Sequence, residues 1–177
     1  MDLRVVRTKR SIINAFIELR AKKPLEKITV KELADLAFIN KATFYQHYQD
    51  IYDLAETLEN EAIESVLKDI PHPEYLLTNP KEGFRELADA MASQNQLFGI
   101  LFSGSRSDML INRLEDGLRN LTFSRHPEYI DDLEFDLLLT VLIQGCFRAF
   151  LKHAEKNYDA VIEILADMNE CLITKYR

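Results

Sequence analysis

The sequence predicts an all-α protein of about nine helices. Apolar residues recur at three- and four-residue spacing along most of the chain, and no segment alternates apolar and polar residues as a half-buried strand would. Only five glycines and five prolines interrupt the 177 residues, which favours long helices over many short strands. Hydrophobic residues make up 47% and charged residues 29%, a balance typical of a chain that folds around a core.

Three helical segments are predicted in the first 50 residues. Apolar residues recur with helical spacing over residues 4–21, and Pro24 blocks any continuation. Thr29 and Glu32 form a T-x-x-E capping box, which predicts the start of a second helix. Asn40 is a favourable N-cap for a third helical segment, KATFYQHY.

Six more helices are predicted after residue 50. Asp50 and Asp53 resemble a capping box with an acidic partner, and Pro71, Pro73 and Pro80 mark a loop. The predicted helices span residues 51–69, 82–93, 95–103, 109–121, 128–156 and 158–176.

Charge is divided unevenly along the chain. Residues 1–50 carry ten Lys and Arg against six Asp and Glu, a net +4, whereas residues 51–177 carry 12 against 23, a net −11. A basic segment in an acidic protein suggests that this segment faces a polyanion such as nucleic acid. A stretch of this length can also differ by chance, so charge alone does not decide.

Several functional classes find no support in the sequence. The longest apolar run, residues 137–143, is too short to span a bilayer, and the N-terminal segment lacks the features of a signal peptide. Cys146 and Cys171 form no disulfide or metal-binding pattern, so we expect a cytoplasmic protein without a cofactor. Cys146 and His153 could share a helix face as a metal or redox sensor, but a buried cysteine and a surface histidine are commoner. No catalytic triad, phosphate loop or paired carboxylates occur, so we expect no enzyme activity.

The segments RTKRSIINAFIEL and KITVKELADLAFINKATFYQHYQD carry a family resemblance. They combine a helix ending in A-F-x-E-L, an I-T-V stretch before the second helix, and the T-F-Y-x-H-Y pattern of a short recognition helix. Together they resemble the N-terminal helix-turn-helix domain of the TetR family of transcriptional regulators, over about 50 residues. The remaining helices resemble the family in their layout alone.

The resemblance implies two domains with different functions. Residues 1–50 would form a three-helix DNA-binding domain, and residues 51–177 a helical ligand-binding and dimerisation domain. The homodimer would place two recognition helices, residues 40–47, in successive major grooves of a palindromic double-stranded operator. An unknown small-molecule effector would alter the spacing of these helices, so we expect a ligand-responsive regulator that acts as a repressor.

The side chains around Asn40 are expected to contact DNA, while Phe44 faces the core. Lys41 can donate to guanine or phosphate, and Thr43 can meet a thymine methyl or a phosphate. By resemblance, Tyr45 and His47 would bind backbone phosphates. The full set of expected DNA-binding residues is Thr29, Lys31, Asn40, Lys41, Ala42, Thr43, Tyr45, Gln46 and His47.

Two positions depart from the family pattern. Most members have glycine where this chain has Phe38, and another residue is disfavoured there if the backbone turns left-handed. The phenylalanine could instead fill a gap between the domains. Members often have lysine at the position of Ile51, so a phosphate contact there would be weaker or would come from backbone N–H groups.

The C-terminal helices are expected to contain an effector pocket and the dimer interface. Gly145 lies in mid-helix, where glycine costs about 1 kcal/mol relative to alanine unless a close helix–helix approach compensates. By resemblance, the last two helices, residues 128–156 and 158–176, form the interface as a four-helix bundle. Gln144 and Arg148 could serve either the pocket or this interface. The expected pocket residues are Phe98, Phe102, Leu139, Ile143, Gln144, Phe147 and Arg148.

A second class of function stays open from the sequence. The helix-turn-helix and the acidic C-terminal part could dock protein partners without sensing an effector. Binding to duplex DNA that weakens steeply with salt would separate the two hypotheses, because phosphate contacts release counterions.

Overall fold

Helices form every regular element of the described residues, 3–176, which confirms the all-α prediction. The computed structural model contains, over this range, ten α-helices and three 3-10 turns. The α-helices are α1 (Leu3–Arg20), α2 (Val30–Leu36), α3 (Lys41–Tyr45), α4 (Ile51–Lys68), α5 (Tyr75–Thr78), α6 (Pro80–Ser93), α7 (Asn95–Leu101), α8 (Ser107–Arg125), α9 (Leu133–His153) and α10 (Tyr158–Tyr176). The 3-10 turns are Leu25–Lys27, Gly104–Arg106 and Pro127–Tyr129.

Side-chain caps begin the two short helices where the sequence predicts them. Thr29 Oγ1 accepts a hydrogen bond from the Glu32 N–H at 3.2 Å, and Asn40 Oδ1 accepts one from the Thr43 N–H at 2.7 Å. Each bond satisfies a helix-terminal N–H that has no partner within its helix. The Glu32 carboxylate, expected to complete the capping box, instead pairs with the ammonium of Lys23.

Several segments differ from their expected structure. The third helix was expected over residues 41–48, whereas α3 ends at Tyr45 and residues 46 and 47 form a turn. The helix expected over residues 109–121 is longer and runs from Ser107 to Arg125. The prolines of residues 71–80 predict a loop, but this stretch contains the single-turn helix α5. The long helix was expected from residue 128 to 156, whereas α9 runs from Leu133 to His153. It begins late because the Asp132 carboxylate caps it, accepting from the Phe135 N–H at 3.1 Å.

The chain forms two compact units that do not divide at residue 50. Among the described residues, the first unit comprises 3–61 with 96–107, and the second comprises 62–95 with 108–176. An ion pair within the first unit joins two of its residues that lie beyond residue 50. Glu59 is only 1% exposed, and its carboxylate accepts from Nε of Arg106 at 2.8 Å.

In the first unit, α1 packs against α2 and α2 packs against α3. Ile12, Phe16, Leu33 and Phe44 are fully buried there. In the second unit, α10 packs against α6 and α9. No helix of residues 3–176 has both the length and the apolar character needed to cross a bilayer.

Candidate nucleic-acid interface

The aromatic residues of α3 and the turn after it divide between core and surface. Phe44 and Tyr48 are buried, which confirms the core role expected of Phe44. Tyr45 is 57% exposed, and its ring contacts that of Phe44 edge to face, with centroids 5.6 Å apart. His47 is half-buried beside Tyr48, at a centroid distance of 6.5 Å. The two inward rings therefore hold the outward rings in place.

The nine residues predicted to bind DNA lie mostly on the surface of the first unit. Among the nine, only Thr43 and His47 are half-buried. The exposed ones are Thr29, Lys31, Asn40, Lys41, Ala42, Tyr45 and Gln46. Since α2 packs against α3, the structure brings these residues together on one helix-turn-helix unit.

The two threonine hydroxyls differ in what they can offer a phosphate. The Thr43 hydroxyl donates to Asn40 Oδ1 at 2.9 Å, so its proton is already used within the cap. The Thr29 hydroxyl accepts from a backbone N–H, which leaves its proton free to donate. Thr29 therefore suits a phosphate contact, whereas Thr43 suits an apolar contact through its methyl group.

Two backbone N–H groups around the start of α4 are already occupied. The Asp53 N–H donates to Asp50 Oδ1 at 2.8 Å, and the Gln49 N–H donates to Asp53 Oδ2 at 2.7 Å. Both backbone donors are therefore occupied by carboxylates, which would also repel a phosphate. Ile51 is buried. The Ile51 side chain therefore offers no contact to a phosphate, and a contact from the backbone N–H groups of Ile51 or Tyr52 stays a prediction.

Two surface features of the first unit were not among the predicted site residues. The first is the start of α1, where residues 3–10 are exposed except for the half-buried Thr8. The exposed residues include Arg7, Lys9 and Arg10. The first turn of α1 contains no acidic residue. Cations at a helix N-terminus oppose the helix dipole, so a nearby polyanion would stabilise them. The sequence signal that could have found this surface is its run of basic residues at positions 4–10 without an acidic one.

The second feature is Phe38, whose position after α2 the sequence singled out. Its backbone is left-handed, with φ of 55°, and the residue is 95% exposed. The suggestion that its ring fills a gap between domains is therefore wrong.

The effector-pocket candidates are split between the two units. Phe98 and Phe102 belong to the first unit and contact each other edge to face at 5.8 Å. The other five, Leu139, Ile143, Gln144, Phe147 and Arg148, lie on α9 in the second unit. Arg148 is exposed, with its Nη2 3.7 Å from Asp108 Oδ1.

Gln144 belongs to a polar cluster between α8 and α9. Its Nε2 donates to Glu115 Oε2 at 2.6 Å, and Thr140 and Arg119 also donate to this carboxylate, at 3.1 and 3.0 Å. Burial raises the pKa of Glu115, but these hydrogen bonds outweigh it and hold the pKa below its ordinary value. Gln144 thus serves as a link between helices.

Cys146 lies against the neighbouring helix rather than beside His153. Its Sγ accepts a hydrogen bond from Nδ2 of Asn169 at 3.2 Å, and burial raises the pKa of the thiol. No three His, Cys, Asp or Glu side chains of residues 3–176 converge in a way that could hold a metal ion.

A second exposed surface runs along the last two helices of the second unit. Leu133, Leu137 and Val141 follow one another at four-residue intervals on α9, and all three are exposed. Ile164 and Met168 on α10 are exposed at the same interval. Apolar side chains at this spacing form stripes that are typical of helices packed against another chain.

Comparisons with protein-family models, with curated proteins and with solved structures give no match to this chain.

Proposed function

We propose that the protein is a dimeric, ligand-responsive transcriptional regulator, acting as a repressor, which binds a palindromic operator through α3 and the adjoining turn. The observation that carries this proposal is the division of side chains within residues 40–48. Phe44 and Tyr48 anchor the segment in the core, while Lys41, Tyr45 and Gln46 project outward. A recognition helix needs both properties, because base contacts require a fixed backbone and free polar groups.

Cations without internal partners support a nucleic-acid interface. Within residues 3–176, Lys31 and Lys41 form no ion pair, although acidic residues outnumber basic ones in the chain. Arg7, Lys9 and Arg10 on α1 likewise have no ion pair within the described range. These residues remain available to neutralise phosphates.

The exposed stripes of α9 and α10 support a homodimer through the last two helices. Gly145 adds to this support, because a Cβ built on it meets no atom within 4 Å. No contact among residues 3–176 therefore requires glycine at this mid-helix position. A second copy that approaches α9 closely would require it.

Gly145→Ala tests the dimer, and Gly99→Ala is its matched control. A Cβ at Gly99, which lies in α7, also meets open space. Both changes should raise helix stability, by up to about 1 kcal/mol. Only Gly145→Ala should weaken dimerisation, by about tenfold or more in sedimentation equilibrium, because the added methyl overpacks a close helix crossing. Equal dimer affinity in the two variants would contradict an interface at Gly145.

Selection from a pool of random duplexes tests DNA binding directly. The protein should enrich a palindromic sequence, and its affinity for that duplex should fall steeply with salt. A dimer that neutralises roughly six phosphates would lose about a thousandfold in affinity between 50 and 200 mM salt. Failure to enrich any duplex would reject the proposal and favour the alternative, a helical module that docks protein partners through the helix-turn-helix and its acidic second part.

A further inference from the structure

Phe38 closes a helix with a motif that normally contains glycine. Its N–H donates to the Asp35 carbonyl at 3.3 Å, and the Ile39 N–H donates to the Ala34 carbonyl at 3.0 Å. These two bonds form a Schellman motif, in which the residue at the position of Phe38 must be left-handed. The observed φ of 55° satisfies this requirement. The turn between α2 and α3 is therefore fixed by backbone hydrogen bonds.

Nothing in the described residues, 3–176, offsets the unfavourable choice of phenylalanine. A bulky side chain in the left-handed region is a genuine conformational outlier. The residue is also 95% exposed, so the ring gains almost nothing from burial. Strained backbone conformations tend to persist at functional sites. The exposed ring of Phe38 is therefore a candidate for contact with another molecule.

The ring lies close to the part of α3 that is proposed to meet DNA. Phe38 precedes the N-cap Asn40 by two residues and Lys41 by three. Three residues of extended chain span at most about 11 Å, so the Phe38 and Lys41 Cα atoms lie within roughly the width of a major groove, about 12 Å. A phenyl ring at Phe38 can therefore reach the edge of the groove that Lys41 enters.

We propose that the Phe38 ring makes an apolar contact with a thymine methyl group at the edge of the half-site read by α3. This inference rests on the proposed function. The thymine C5-methyl is the apolar group that B-DNA displays in the major groove, and apolar side chains recognise it. Lys31 and Lys41, which have no ion pair within residues 3–176, flank Phe38 along the chain. A polyanion suits these neighbours, whereas an apolar protein surface would have to desolvate both charges.

The experiment compares three variants on the duplex that the wild-type protein enriches from a random pool. Phe38→Gly and Phe38→Asn remove the ring and tolerate the left-handed backbone, while Phe38→Leu keeps an apolar group. We expect the first two to lose roughly 5- to 30-fold in affinity, the range for burying most of a phenyl ring, and Phe38→Leu to lose less. Their melting temperatures should not fall below that of the wild type.

Two further measurements, the salt dependence of binding and the replacement of thymine by uracil, show whether the loss of affinity comes from an apolar contact. An apolar contact releases no counterions, so the dependence of affinity on salt should be unchanged in Phe38→Gly. Replacing thymine by uracil in the duplex removes the methyl groups. It should weaken wild-type binding at one position of each half-site and leave Phe38→Gly unaffected there.

The outcomes separate this inference from the proposed function. If the wild type enriches no duplex, the proposed function fails and this inference fails with it. If the wild type binds with a steep salt dependence but Phe38→Gly binds equally well, only the role of Phe38 is overturned. A shallower salt dependence in Phe38→Gly, no effect of uracil, or lower melting temperatures in both the Gly and Asn variants would each overturn it as well.

Discussion

The outer face of α2 and α3 and the contact between α6 and α10 use the same cationic residue types in opposite ways. In the second unit, Lys81 of α6 pairs with Asp167 of α10, and Arg85 binds both oxygens of Glu163 at 2.9 and 2.6 Å. In the first unit, Lys31 and Lys41 have no carboxylate partner within residues 3–176.

This difference shows that burial alone does not distinguish a binding surface from a structural one. All these cations reach solvent, but those of α6 have their charge neutralised inside the fold. An unpaired cation can release a counterion from DNA on binding, whereas a paired one must first lose its partner. The pattern of pairing, rather than the density of charge, therefore marks the proposed interface.

Arg106→Ala should have the largest effect on stability, because its ion pair with Glu59 is buried, whereas the ion pair of Arg148 is exposed. Removing the guanidinium leaves the buried Glu59 carboxylate without its main cation. We expect the free energy of unfolding to fall by roughly 3–5 kcal/mol in urea denaturation. Arg148→Ala is the control, since its partner Asp108 lies 3.7 Å away and both are exposed, so the change should cost at most about 0.5 kcal/mol. Equal effects of the two changes would contradict the buried role of Arg106.

Gly83→Ala should have the next largest effect, and it tests the packing at the start of α6. A Cβ at Gly83 would lie 2.5 Å from the Tyr75 carbonyl carbon, so α5 or α6 would have to shift. Overpacking against backbone should cost about 1–3 kcal/mol, measured by thermal unfolding. Gly99→Ala meets open space and should not destabilise the protein. If both changes were harmless, α5 would not pack against α6 as closely as the structure shows.

Lys41→Ala should weaken DNA binding, whereas Lys81→Ala should not. The two variants therefore test whether the unpaired cations, rather than the paired ones, bind DNA. Lys41→Ala should weaken binding to the enriched duplex by about 5- to 30-fold and lower the salt slope by about one per protomer, without altering dimerisation. Lys81→Ala should leave DNA affinity unchanged, because its charge is taken by Asp167. Loss of the dimer in Lys41→Ala would show that this residue does not belong to a DNA-binding face.

Tyr45→Phe should have a smaller effect in the same assay. The ring would keep its edge-to-face contact with Phe44, so the helix should stay in place while the phosphate donor is lost. Because the variant loses one hydrogen bond to a phosphate and no charge, the affinity should fall by less than the roughly 5- to 30-fold expected of Lys41→Ala. Unchanged affinity, with Lys41→Ala impaired, would remove Tyr45 alone from the interface.

The start of each short N-terminal helix could be predicted because its signal is local. Thr29 and Asn40 each accept a hydrogen bond from an N–H three residues away, and such a cap can be recognised from the sequence. The late start of α9 was missed although Asp132 is also a local cap, because the apolar periodicity continues back through Tyr129 and Ile130. Here the periodicity and the cap competed, and the cap determined the boundary.

Features that depend on distant residues were not predictable from spacing. The pairing of Glu59 with Arg106 joins positions 47 residues apart, within a first unit that includes residues 96–107. The same limit applies to the pocket candidates, since a single sequence does not show that Phe98 and Leu139 belong to different units. The inward position of Phe44 followed from helical periodicity alone, so it could be predicted.

The smallest expected effect is the pH dependence of stability that arises from His72. This residue forms an ion pair with Glu86 near the protein surface. The hydrogen bond between His72 Nδ1 and Glu86 Oε1, at 2.7 Å, raises the pKa of His72. Partial burial opposes this, and the charges of Glu86 and Glu74 add to the rise. The neighbouring Tyr75 ring stacks on the imidazole at a centroid distance of 4.6 Å. We therefore expect the imidazole signal in NMR to titrate above the ordinary value of about 6.5.

The sign of the linked stability follows from this raised pKa. The protonated imidazole binds Glu86 more tightly in the folded state, so the contribution is complete below pH 6.5 and is lost as the pH rises through the folded-state value. Glu86→Gln should return the titration of His72 toward its ordinary midpoint and flatten stability across that pH interval. A His72 midpoint that is unchanged in Glu86→Gln would show that the pair does not form in solution.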